Sequence, residues 1–362
     1  MPQYQVATPQ RTYSALIERG AITGLKGFIP SGCGRIFVVT TRDVWDLQGD
    51  RLRAALGGTA FEVLFFAGGE ANKRISQVEQ LAVQMVEAGA DRSSLLIAFG
   101  GGIVTDITGF LAAIFMRGIP VIQIPTTLLA QVDAAIGGKT GVNLTVGKNL
   151  AGSFHQPLVV LIDPAVLCTL PEREYRAGLY EVIKAGIIVD APLFRMFAER
   201  RTDVLAQVPE VVDHLIAEAV RIKAEVVSAD EKESGLRRIL NFGHTFGHAL
   251  EAETRYTRFL HGEAVSWGMR AATYLADGLG MLPETDRAEI LSVLDHYGPI
   301  PPLDGIPAAS LQALLLHDKK TIQQRIHFVL PVKIGQVKVV ADIPEAQVQR
   351  AIERALADCQ TI

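Results

Sequence analysis

The sequence predicts an α/β domain built on a parallel, doubly wound sheet, followed by a mainly α-helical domain. Three observations carry this. Short runs of apolar, β-branched and aromatic residues recur through the first half, at Ile36–Thr40, Val63–Phe66, Leu95–Phe99, Val121–Ile124 and Val159–Ile162. Mostly apolar runs of this length fit strands buried on both faces, and the helical patterns between them, notably Ile75–Ala88, supply the crossovers that parallel strands need. From about residue 165 to about 320 strand signals nearly vanish and helical periodicity takes over. A chain of 362 residues also exceeds what one hydrophobic core usually serves, so the division is drawn between residues 1–164 and 165–362.

In parallel sheets ligands collect at the carboxyl ends of strands, so those ends carry the functional reading. After Val63–Phe66 comes Gly68-Gly69-Glu70-Ala71-Asn72-Lys73, where a carboxylate can accept from ribose hydroxyls and a lysine can meet phosphate. A polar loop capping a helix explains the same residues. After Leu95–Phe99 comes Gly100-Gly101-Gly102-Ile103-Val104-Thr105-Asp106, then the helical pattern Ile107–Met116. Bare backbone opening a helix lets a pyrophosphate reach amide N–H groups. The G-x-G-x-x-G fingerprint is not met, because Thr105 stands in place of its third glycine. Gly137-Gly138-Lys139-Thr140 is not a P-loop either, since Asp133 occupies the first glycine position. Pro171-Glu172-Arg173-Glu174 reads as a helix start, and Ile326–Leu330 with Gln336–Val340 flank Gly335 as a small hairpin.

Composition excludes several classes of function. Apolar residues make up 49% of the chain, enough for large cores. A net charge of −4, with no run of lysine or arginine longer than two, offers no footprint for nucleic acid. The N-terminal residues lack the pattern of a signal peptide, and no apolar run approaches the length that spans a bilayer, so the expectation is a cytoplasmic protein without a membrane partner. Cys33, Cys168 and Cys359 are scattered, odd in number and without metal-ligand spacing, which reads as reduced thiols.

The densest chemistry lies in Leu240–Glu251 and His261-Gly262-Glu263, which hold three of the eight histidines. If residues 242–252 are helical, His244 and His248 leave one face a turn apart and can grip a divalent metal. His261 can close on the same ion, leaving an open position as in catalytic zinc sites. Ordinary hydrogen-bonded histidines give the same spacing. Glu181, in Tyr180-Glu181-Val182-Ile183-Lys184, is one of many acids that could complete the set. Around them stand Lys223, Glu233, Arg237 and Asn241, with Asp318-Lys319-Lys320 downstream. Arg237 and Asn241 are i, i+4, and Asn241, Thr245 and His248 would continue one helical ridge. Cations flanking a metal suit a small substrate bearing carboxylate and phosphate.

In these motifs the chain resembles the 3-dehydroquinate synthase family. The resemblance rests on Gly100–Phe110, Arg117-Gly118, Pro125–Asp133, Gly137–Asn143, Gly147-Lys148-Asn149, Glu181–Lys184, Leu240–Glu251, His261-Gly262-Glu263 and Asp318-Lys319-Lys320, which span most of residues 65–330 in order. It implies a Rossmann-like NAD-binding domain joined to a helical zinc domain, the active site between them, in a homodimer. It assigns zinc, replaceable by cobalt, to Glu181, His244 and His261, leaving His248 to the substrate. NAD would lie along Gly69, Glu70, Lys73, Gly101, Gly102, Ile103, Asp106, Thr126, Thr127, Lys139, Lys148, Cys168 and Thr169. The implied substrate is a phosphorylated sugar acid, 3-deoxy-D-arabino-heptulosonate 7-phosphate. It is oxidised at C5, loses phosphate, is re-reduced, opens and closes by aldol addition to 3-dehydroquinate in the shikimate pathway. Lys139, Asn149, His248 and the partner subunit's copy of Arg117 would hold the phosphate, and Lys223, Arg237 and Asn241 the carboxylate. Lys184 would meet substrate hydroxyls, Asp133 would order polar groups near the metal, and Lys320 would reach the substrate. The chain departs from the family at Thr41-Arg42-Asp43, where an Asp-x-Asn is common, and at Thr105. The competing readings are a sibling sugar-phosphate cyclase acting on sedoheptulose 7-phosphate, an iron-type polyol dehydrogenase, and a non-catalytic NAD sensor.

Overall fold

The computed structural model describes residues 2–321 and 326–359, with the side chains of 317–321 outside the description. It divides into two compact units, residues 1–175 with 212–232, and residues 176–211 with 233–362.

The first unit is organised by a seven-stranded sheet. Its strands are β1 (Gln3–Ala7), β2 (Thr12–Ile17), β3 (Ile36–Thr40), β4 (Glu62–Phe65), β5 (Leu95–Gly100), β6 (Val121–Pro125) and, after the hairpin β7 (Lys139–Leu144) and β8 (Gly147–Phe154), β9 (Val159–Ile162). The spatial order is β1-β2-β9-β6-β5-β3-β4. Every adjacent pair is parallel except β1 with β2. Helices α1 (Arg42–Leu56), α2 (Ile75–Glu87) and α3 (Gly102–Ile114) make the crossovers. Strand alternation sorts the core into two layers. Phe37, Val39, Leu96 and Ala98 pack with Val78, Leu81, Val104 and Ile107. Ile36, Val38, Leu95, Ile97 and Phe99 pack with Trp45, Leu52 and Leu56 on the opposite face. Because β4 lies on one side of β3 and β5 on the other, the winding reverses between β3 and β5. The glycine loop leaves β5 at that reversal, the place where open sheets of this kind receive ligands.

The second unit is helical, with α4 (Glu172–Val189), α5 (Ala191–Glu199) and α6 (Arg201–Leu205). Helix α7 (Pro209–Ala229) begins there, but from Val212 it packs with the first unit. Then come α8 (His244–Glu253), α9 (His261–Gly278), α10 (Glu284–His296), α11 (Ala308–Thr321), the hairpin β10 (His327–Lys333) and β11 (Gln336–Ala341), and α12 (Glu345–Asp358). Helix α9 is buried along nearly its whole length, which its run of alanine, glycine and aromatic residues allows.

Candidate active site

In the second unit, glycines set how closely helices approach. A Cβ on Gly247 would stand 2.9 Å from the Ala264 carbonyl, one on Gly268 would overlap the Gly243 carbonyl, and one on Gly262 would overlap that of Ala177. Backbone-to-backbone packing of α8 on α9 and of α9 on α4 thus brings the side chains at their ends together. Gly243 adopts φ +80°, a conformation that costs glycine little, so the chain turns there and α8 starts at His244. This breaks the expected ridge. Leu236–Asn241 is a separate 3-10 turn, so Asn241 and Thr245 do not share a helical face.

The result is a convergence of acceptors. One ligand atom from each of Glu181, His244 and His261 lies within 4.8 Å of the others, and the same holds for His248, Glu251 and His261. His244 Nε2 is 3.8 Å and His261 Nε2 is 3.7 Å from the same Glu181 oxygen, Oε1. The Glu181 side chain is 1% exposed, and neither oxygen accepts a hydrogen bond of regular geometry. The buried Lys184 ammonium stands 2.5 Å from Oε2, so the carboxylate is countered on its other side. His244 Nδ1 lies 3.2 Å from the Phe242 carbonyl, which leaves Nε2 as the lone-pair nitrogen when Nδ1 carries the proton. A buried carboxylate and two imidazole nitrogens whose ligand atoms lie within 4.8 Å of one another fit a divalent cation. His248 joins the imidazole group through its ring, 5.4 Å from that of His244 and 6.0 Å from that of His261.

Elsewhere in this unit Arg237 is buried at 1% exposure. Asn241 donates to Glu233. The side chain of Lys320 lies outside the described residues.

The first unit gathers a different set. Lys73 is buried and reaches Asp106 Oδ2 and Asn149 Oδ1, each at 2.5 Å. Burial pushes the Asp106 carboxyl above the usual carboxylate range, and the Lys73 ammonium beside it pulls the other way. Glu70 accepts from Asn143 Nδ2 at 2.7 Å and lies 3.4 Å from Lys148 Nζ, while Asn143 Oδ1 receives the Asn149 amide at 2.8 Å. Of the expected dinucleotide and phosphate residues, Glu70, Lys73, Asp106, Lys148 and Asn149 are therefore joined in one network tying the loop after β4 to the β7–β8 hairpin. Gly69, at φ +76°, has open space where a side chain would stand. A Cβ on Gly101 would meet Thr127 at 3.0 Å and one on Gly102 would meet Ala134 at 3.1 Å, so a side chain at either position would crowd a neighbour where this bare loop leads into Ile103 and α3. Thr126 is buried beside it, its amide bonded to the Gly100 carbonyl. This cradle fits a dinucleotide pyrophosphate.

Thr105, the departure from the fingerprint, is absorbed in the first turn of α3. It is 1% exposed and donates to the Gly102 carbonyl at 2.8 Å. Thr169 accepts from Gln48 at 2.7 Å, and Cys168 is exposed. Lys223 pairs with Asp133 at 2.5 Å. Lys139 is exposed, and so is Arg117, held at φ 72° between Met116 and Gly118, both also at positive φ. Two supports escaped the sequence reading. Tyr13 accepts the Gly137 amide at 2.8 Å, and Gln156, bonded to Glu231 at 2.8 Å, fills the space beside Gly138. Neither has a local signal, because each comes from a distant element.

The model of the 3-dehydroquinate synthase N-terminal domain matches residues 63–177, and that of the C-terminal domain matches residues 178–321. The chain belongs to the 3-dehydroquinate synthase family. A 3-dehydroquinate synthase from Solibacter usitatus (strain Ellin6076) is 64% identical, over 99% of this chain and all of that protein. Among solved structures, 2-epi-5-epi-valiolone synthase from Streptomyces hygroscopicus subsp. jinggangensis 5008, with NAD+ and Zn2+ bound, is 30% identical at a TM-score of 0.87, covering 98% of both chains. A 2-deoxy-scyllo-inosose synthase complexed with carbaglucose-6-phosphate, NAD+ and Co2+ is 26% identical at a TM-score of 0.86, covering 97% of this chain and 99% of that one.

Proposed function

We infer that the chain is a 3-dehydroquinate synthase, converting 3-deoxy-D-arabino-heptulosonate 7-phosphate to 3-dehydroquinate and phosphate with NAD returned unchanged. The observation that carries the reading is the buried Glu181 carboxylate facing the Nε2 atoms of His244 and His261, in a chain whose family match runs from residue 63 to 321. A divalent ion held there, zinc by preference and cobalt in its place, would supply Lewis acidity toward a substrate hydroxyl, and bound NAD would supply a hydride acceptor. NAD and such an ion in the two solved cyclases support both assignments.

The residues take the following parts. Glu181, His244 and His261 hold the ion. Lys184, 2.5 Å from Glu181, donates to the substrate hydroxyls and keeps the buried carboxylate countered. Glu70 accepts from ribose hydroxyls, and the bare loop Gly101, Gly102, Ile103 carries the pyrophosphate, supported by Asp106, Thr126, Thr127, Lys148, Cys168 and Thr169. Lys139, Asn149 and His248 bind the substrate phosphate, with the partner copy's Arg117 completing the site in a homodimer. The exposure of Arg117 supports that role. Lys223, Arg237 and Asn241 bind the carboxylate, Lys223 exchanging its Asp133 partner for it. A buried guanidinium matched to a substrate carboxylate favours this reading over a cyclase whose substrate lacks one. The functional division proposed is residues 1–164 as the NAD-binding domain, and 165–362 as the domain that binds zinc and substrate. No described helix is long and apolar enough to cross a membrane. A phosphorylated sugar acid does not cross one unaided, so the cytoplasm is the proposed location.

The test is an assay of the purified protein with NAD, zinc and the heptulosonate phosphate. Phosphate and cyclic product should appear in equal amounts without accumulation of NADH. Stoichiometric NADH without phosphate release would indicate a polyol dehydrogenase, and preference for sedoheptulose 7-phosphate would indicate a sibling cyclase.

A further inference from the structure

His261 stands between two carboxylates. Its Nε2 faces Glu181 Oε1 at 3.7 Å, and its Nδ1 lies 3.2 Å from Glu251 Oε1. Glu251 is 2% exposed and sits two helical turns beyond His244 on α8, so a single short helix offers one imidazole to the Glu181 group and a buried carboxylate to the imidazole of the next helix. We propose that Glu251 is a positioning residue for metal binding, holding His261 through Nδ1 so that Nε2 is presented toward Glu181 and His244. The inference rests on the metal reading given above.

A neutral imidazole donates from one nitrogen and accepts at the other. A hydrogen bond from Nδ1 to Glu251 leaves the lone pair on Nε2, the atom nearest Glu181. His244 reaches the same tautomer by another route, from Nδ1 to the Phe242 carbonyl at 3.2 Å. The two ligands thus differ in what stands behind them, a neutral carbonyl for His244 and a formal negative charge for His261. The charged partner holds its ring more firmly than a neutral one, and this compensates for position. The His261 side chain is 28% exposed against 12% for His244, so it is the ring with less packing to fix it. The glycine seam serves the same end, because Gly247 lets α8 approach α9 until Glu251 reaches the first residue of α9. The alternative use of these atoms is ligation by Glu251 itself, in the group His248, Glu251 and His261.

Substitution tests the inference without relying on turnover. Zinc affinity is measured by competition with a chromophoric chelator, and the visible absorption of the cobalt-loaded protein reports ligand geometry. Glu251→Gln keeps volume and one acceptor oxygen but loses the charge, and should weaken zinc binding about tenfold; Glu251→Ala should weaken it by about ten- to a hundredfold. The cobalt bands should shift in both, raised free zinc should restore the lost activity, and NAD affinity should not change. If both variants bind zinc as wild type does and keep its cobalt spectrum, Glu251 has no part in the site. If Glu251→Gln and His248→Ala each abolish binding while His244→Ala does not, Glu251 is a ligand and the positioning role is wrong. A wild-type protein that binds no divalent ion contradicts the underlying metal reading instead, and that result is seen before any variant is made. Should Glu251→Ala fail to fold, the Gln variant decides.

Discussion

The two units gather charge in opposite ways. Around Lys73 every group is answered within the protein: the ammonium meets Asp106 and Asn149, and Asn143 joins Glu70 to the Asn149 amide. Around Glu181 the ligand atoms face one another, with two imidazole nitrogens 3.7 and 3.8 Å from one carboxylate oxygen and the Lys184 ammonium behind it. A self-satisfied network is a scaffold that shapes a binding surface. A convergence of carboxylate and imidazole ligand atoms has the donor chemistry that a divalent cation takes. The difference separates a site proposed to bind an ion from a network that holds its own shape.

Four substitutions can break or sharpen that contrast, from the largest effect to the smallest. His244→Ala removes a nitrogen of the convergent set and should cost on the order of a thousandfold in phosphate release, with metal content falling in parallel; loss of activity at full metal content would detach the imidazole from the ion. Lys73→Met breaks the self-satisfied network. It leaves Asp106 without its ammonium and should lower stability by about 3–5 kcal/mol at neutral pH, read as the urea midpoint. The sign with pH follows from Asp106, whose carboxyl is already held high by burial. With Lys73 gone its folded pKa rises further above the unfolded value, so the folded state keeps its proton longer. The deficit should therefore be small below the unfolded carboxylate range and grow as pH climbs through the folded pKa. A deficit that shrinks with rising pH would contradict the pairing.

Gly262→Ala presses a methyl group into the Ala177 carbonyl and should cost about 1–3 kcal/mol. Zinc affinity should fall with it, because the same seam sets the distance from Glu181 to His261. Unchanged zinc affinity would show that the seam is packing alone. The smallest effect is expected for Arg237→Ala, about ten- to a hundredfold in kcat/KM for the carboxylate-bearing substrate, with little further loss on sedoheptulose 7-phosphate. Equal losses on both would remove the carboxylate assignment.

Much of this was legible in the residues, and what was not has physical reasons. The run Val159–Ile162 is apolar at every position and reads as a buried strand, which it is. β1 mixes exposed and buried positions at a sheet edge, and the β7–β8 hairpin is rich in glycine, lysine and asparagine, so neither carries a strand signal. The ridge from Asn241 to Thr245 failed on one residue, Gly243, whose positive φ no periodicity reports. The return of residues 212–232 to the first unit depends on where a helix docks, which a linear reading does not contain. Glu251 was visible only as part of a motif, because its partner is set by the approach of two helices at Gly247 and not by spacing. The acceptor set itself came from a resemblance, since nothing in the spacing of Glu181 singles it out among the acids.

The most direct test of the central claim is the ligand environment of the bound metal, read by X-ray absorption on cobalt-loaded wild-type protein beside the Glu181→Gln variant. The account predicts one ion per chain in wild type, with two imidazoles and a carboxylate among nitrogen and oxygen neighbours. In the variant the carboxylate signature should be lost and occupancy should fall sharply. An ion held with the same spectrum and stoichiometry in both proteins would contradict it.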